Sequence, residues 1–173
     1  MSSALSIDLP EPIGELVTQT AFDQYTISGP NRILEPKLRN LDAAELFPGG
    51  DVEMRACCLS GLWLLHNFLD QSHEISQDIH SREGSLWHGI MHRLEGDYWN
   101  SKYWYRKVGD HPVFELMCST ETWNPADFVD QCESAQSGGP AACNQVHQTA
   151  IEEWKTLFKY CFERASSSSH PNK

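Results

Sequence analysis

The sequence predicts an all-α fold, an irregular helical bundle built on an antiparallel helical hairpin and preceded by an extended Pro-rich N-terminal arm. Three observations carry this reading. Polar residues recur at spacings of four and three through His66, Asp70, His73, Gln77 and His80, and again through His88, His92 and Glu95. Apolar residues at Met54, Cys58, Leu62, Leu65 and Leu69 follow a helical stripe of their own. No segment of useful length alternates apolar and polar residues with the period of a strand.

Residues 1–50 hold five of the nine prolines, at Pro10, Pro12, Pro30, Pro36 and Pro48, and are read as the arm. Leu34, Leu38, Leu41 and Leu46 are available to pack it on the body, and Asp42 suits the cap of a short turn ending at Phe47. Residues 51–165 form the expected helical domain. Asp51 caps a long first helix whose polar face continues to about His80. After the break at Arg82-Glu83-Gly84, Ser85 is expected to cap a second helix with Leu86, Trp87, Ile90, Met91 and Leu94 on its apolar side. Gly96 ends it, and Asp97 opens a third from Tyr98 to Val108, dense in aromatics. There Trp104 is expected in the core beside Gly89 and Ser101, with Gly109 and His111-Pro112 as the stop.

A short apolar piece follows from Val113 to Cys118. Asn124-Pro125 then starts a brief helix to Ala135, with the cap followed by proline in the first turn. Ser137-Gly138-Gly139-Pro140 is a loop. A last helix from Ala141 to about Arg164 presents Val146, Ala150, Trp154, Leu157 and Cys161. Residues 166–173 read as a disordered tail.

The chain has 173 residues and a net charge of -11. That excess of acid argues against a nucleic-acid partner, which selects a basic footprint, and against an anionic membrane surface. No run is apolar enough to span a bilayer, and the N-terminus lacks the basic start and apolar core of a secretory leader. The six cysteines form no CxxC pair, so reduced thiols and a cytoplasmic location are expected.

Residues Leu86 to Pro112 resemble a single tetratricopeptide repeat. Gly89, Gly96-Asp97-Tyr98, Ser101, Trp104-Tyr105, Val108 and Pro112 fall close to that repeat's small and aromatic positions, with Val108 where alanine is usual. The resemblance implies a packed helical hairpin, and one copy is too few for a stacked array. The longer block GLWLLHNFLDQSHEISQDIH with GSLWHGIMHRLEGDYWNSKYWYRKVGDHPVF is similar to a group of uncharacterised bacterial helical proteins. That similarity implies a single unit over 52–114 and carries no chemistry.

The chemistry lies in the polar faces. An antiparallel hairpin turning between Arg82 and Glu83 sets Asp70 level with Glu95, His73 with His92, and Gln77 with His88. A carboxylate and a histidine three residues apart on each of two facing helices is how helical bundles build metal sites. Asp70, His73, His92 and Glu95 are therefore the expected ligands of a divalent iron, manganese or zinc ion, with Gln77 and His88 beside them. His88 and Arg93 are the candidate catalytic groups, as acid–base and anion-holding side chains on a small polar substrate. Against this stand a buried hydrogen-bonded network that fixes helix register and a polar stripe that simply faces water. The competing functional class is a non-enzymatic module whose aromatic hairpin packs a protein partner.

Overall fold

The structure, a computed structural model, describes residues 9–17, 25, 29–48, 50–117 and 123–167, and every regular element among them is a helix. In chain order these are α1 (Ile13–Leu16), α2 (Glu35–Arg39), α3 (Ala43–Leu46), α4 (Val52–Leu65), α5 (Leu69–Ser76), α6 (Arg82–Glu95), α7 (Tyr98–Val108), α8 (Pro112–Leu116), α9 (Pro125–Ala135) and α10 (Gly139–Ser166). No described helix is long and apolar enough to cross a membrane.

The described part of the first fifty residues holds α1, α2 and α3, each about one turn, where an extended arm is expected. Asp42 caps α3 by accepting from the Ala44 amide at 2.7 Å. Ile13, Leu16, Leu38 and Phe47 are buried against the main body. Cys118 and most of the expected tail lie outside the described residues.

Local chemistry sets most of the helix ends. Asp51 accepts from the Met54 amide at 2.9 Å, Asp97 from Asn100 at 3.2 Å, and Asn124 from Ala126 at 2.8 Å. Gly96 closes α6 in the left-handed region at φ 89°, where a side chain would be strained. Two boundaries differ from expectation by a turn or more. The long first helix stops at Leu65, Asn67 turns the chain with φ 61°, and α5 restarts at Leu69. The second helix starts a turn early, because Ser81 rather than Ser85 is the cap, accepting from the Gly84 amide at 3.3 Å. His111-Pro112 both stops α7 and starts α8. The His111 ring accepts from the Val113 amide at 3.2 Å, and proline occupies the first turn, where no amide hydrogen is needed.

α6 packs against α4, α5 and α7, and α10 closes the core over α4. The α4–α10 contact is tight at Gly61, whose carbonyl accepts from the Trp154 indole at 2.8 Å. A Cβ there would lie 2.7 Å from the Trp87 ring. Ser60 on α4 bonds the Ser72 carbonyl (3.1 Å) and hydroxyl (2.9 Å), so α5 is held to α4 through buried hydroxyls. The α6–α7 approach is equally close, with the Ser101 hydroxyl donating to the Gly89 carbonyl at 2.7 Å.

Arg93, the expected anion holder, faces the other way. Its guanidinium is buried, pairs with Glu153 of α10, donates to the Tyr105 hydroxyl at 2.8 Å and lies 4.5 Å from the Phe128 ring centroid. The Tyr105 hydroxyl in turn donates to Glu153 at 2.6 Å. The sequence expectation fails here because the partner is sixty residues away on α10, beyond any local pattern.

Removing one member of a buried pair strands the other charge, so Glu153→Ala is expected to cost about 3–5 kcal/mol in urea unfolding at neutral pH. Gly61→Ala is expected to cost about 1–3 kcal/mol by overpacking against Trp87, read from the same unfolding curves.

Candidate metal centre

Three imidazoles converge between α5 and α6. His73, His88 and His92 each offer a ring nitrogen, and these donor atoms lie within 4.8 Å of one another. The ring centroids are 4.6 Å apart for His73 and His88, 4.7 Å for His88 and His92, and 5.5 Å for His73 and His92. His88 and His92 are buried and His73 is half-buried. The spacing of four puts His88 and His92 on one face of α6, and the close packing of α5 brings His73 over both.

Hydrogen bonds orient the rings. The Ser76 hydroxyl lies 3.4 Å from the His73 carbonyl and 3.3 Å from His88 Nδ1. With its proton on the carbonyl it accepts from Nδ1, the tautomer of His88 that leaves the lone pair on Nε2. His92 Nδ1 donates to the Glu95 carboxylate at 3.0 Å, because an ionised carboxylate can only accept. His92 Nε2 therefore carries the lone pair, which accepts from the Asn100 amide of α7 at 3.1 Å, a bond that an ion taking this nitrogen would displace. A carboxylate on the far nitrogen of a histidine is the usual support of a metal ligand, since it fixes the ring and raises its basicity.

Burial holds His88 in its neutral form. Its pKa is pushed down to about 4, first by burial, then by the neighbouring His92 and His73 and by the Lys107 charge, against a smaller upward pull from Ser76. Trp104 covers the same ring, with centroids 4.1 Å apart and a tilt of 34°.

The remaining expected site residues are placed as follows. His73 and His92 meet in the anticipated register, and His88 joins them. Gln77 is exposed, and Ser76, one residue earlier, takes the level opposite His88. Asp70 is exposed and stands outside the triad. It lines a separate cleft of about 400 Å³ with Arg32, Glu35 and Gln71. Glu95 is outside the triad as well and touches it through His92. Arg93 is in the core pair with Glu153. His66, on the same sequence stripe as His73, is severed from it by the turn at Asn67. It is buried instead against α1, its Nε2 donating to the Leu16 carbonyl at 3.0 Å.

Ser76, Asn100 and Lys107 were not among the sequence candidates. A signal for Asn100 was present: reflection of the chain about Gly96 sets His92 opposite Asn100 and His88 opposite Trp104. Trp104 is half-buried rather than a core residue, and Tyr105 takes the buried place beside Gly89.

Comparison with protein-family models, curated proteins and solved structures gives no match for this chain.

Burial lowers the pKa of His66 as well as that of His88. The unfolded chain therefore takes up protons at both positions before the folded chain does, once pH falls below the ordinary imidazole value of ~6.5. Stability is expected to fall from there until about pH 4, where folded His88 also protonates. Melting temperatures across this range measure the loss, and NMR should find the His88 ring still neutral at about pH 5.

Proposed function

We propose that His73, His88 and His92 bind one divalent transition-metal ion, zinc first, and that the ion's open position acts on a small polar substrate. The reading is carried by one observation, the convergence of three imidazole donors within 4.8 Å from two adjoining helices. Imidazole sets suit zinc and ferrous iron. Manganese favours carboxylate oxygen, and among the described residues no carboxylate joins the triad, so it is the weaker candidate.

Three protein donors leave a fourth position of a tetrahedral zinc site for water or substrate. Water held there by zinc would ionise near ~7, and the chemistry the ion would supply is metal-assisted hydrolysis or hydration. His88 is kept neutral and so can donate its lone pair, while Glu95 orients His92.

Untagged protein should carry stoichiometric zinc or iron by elemental analysis, and added zinc should raise the melting temperature with its excess over Kd. Glu95→Ala should weaken zinc binding by about 10–100-fold, as loss of an orienting carboxylate does. His73→Ala, His88→Ala and His92→Ala should each weaken it further. Asp70→Ala and Gln77→Ala should leave it unchanged, which separates this triad from the carboxylate-containing set expected from spacing. A chain that binds neither metal and shows no shift in melting temperature defeats the reading.

A further inference from the structure

The half-covered side of the triad continues into an aromatic strip on α7. Trp104 lies on His88 at 4.1 Å. Tyr103 meets Trp104 edge-on, with centroids 5.6 Å apart at 83°. Trp99 lies one turn back, its ring parallel to Tyr103 within 10° at 6.3 Å. Burial falls along this strip from His88 outwards, and Trp99 and Tyr103 are 74% and 41% exposed. Large flat apolar rings left facing solvent in parallel array are a stacking surface for a planar group.

The strip also holds a cation. Lys107 Nζ sits 4.0 Å from the Trp104 ring centroid and 5.7 Å from that of Tyr103. Among the described residues it makes no ion pair, although the chain has 24 acidic residues against 13 basic ones. An ammonium resting on aromatic faces keeps its hydrogens available to an incoming acceptor.

We propose that the exogenous ligand of the triad's metal is a small planar aromatic carboxylate, its acid group shared between the ion and Lys107 and its ring laid on Tyr103 and Trp99. The inference rests on the metal reading above and names its ligand class. An ion at the triad and Lys107, which rests on the Trp104 ring that covers His88, would set two positive centres near the same indole and select a negative group, while the exposed rings select a flat apolar body. A polyanionic strand is the poorer occupant, since the net charge of -11 repels it over the rest of the surface.

The full chain loaded with Co²⁺, whose visible bands report its ligands, tests this with benzoate and acetate as probes. Benzoate should change the bands at concentrations about tenfold below those acetate requires, as expected for one added stacking contact. Lys107→Met should weaken both acids by about tenfold, the loss of one charge-assisted hydrogen bond, without weakening Co²⁺ binding, since the lost charge only repelled the cation. Trp99→Ala with Tyr103→Ala should abolish the preference for benzoate and spare acetate. These two side chains are exposed, so the double variant is expected to fold, and a wild-type melting temperature checks that. If Co²⁺ binds with histidine-type bands and benzoate gains nothing over acetate, or Lys107→Met changes neither acid, this inference is overturned and the metal reading stands. If Co²⁺ does not bind, both are overturned.

Discussion

The buried Arg93–Glu153 pair, closed by the Tyr105 hydroxyl, is the contact on which the arrangement of the other helices depends. It joins α6, α7 and α10 at one point, and Phe128 of α9 packs on the guanidinium. Two opposite charges taken out of water are tolerable only when they meet with good geometry and their remaining donors and acceptors are used. A slide of α10 along α6, or a rotation of α6 about its axis, would break that geometry. Burial and these charges act on Tyr25 too, whose pKa is raised and whose fully buried ring belongs to the same region of the core.

That constraint reaches the histidines directly. Arg93 follows His92 in sequence, and successive side chains on a helix point roughly 100° apart. Seating Arg93 towards α10 therefore turns His92, and His88 one turn before it, towards α5. His73 completes the triad from there, because the Ser60–Ser72 bonds hold α5 on α4. The small residues Gly89 and Ser101 let α7 come close enough for Asn100 and Trp104 to touch His92 and His88. The centre thus draws its rings from two helices and its supports from three.

The turn at Asn67 divides one polar stripe between two tasks. Had α4 run unbroken to His80, His66 and His73 would share a face. The break instead leaves His66 to hold α1 through the Leu16 carbonyl and frees α5 to choose its own rotation over α6.

What the sequence by itself determined is the set of features whose causes lie within a few residues of each other. The caps at Asp51, Asp97 and Asn124 and the stop at Gly96 were legible because each bond closes within one turn. The limits of α7 and the buried face of α10 through Ala150, Trp154, Leu157 and Cys161 were legible from periodicity. The spacing of His88 and His92, and the meeting of His92 with His73, followed from helix geometry and a hairpin turn. Only the tertiary structure decided the rest. Ser76 rather than Gln77 faces His88, and the Ser60–Ser72 bonds that seat α5 on α4 twelve residues apart are beyond any local pattern. Arg93 left the site for the core because Glu153 waits on a helix sixty residues away. Helical period gives the angles between side chains on one helix. The absolute rotation of that helix is set by whichever distant charge or surface it must bury.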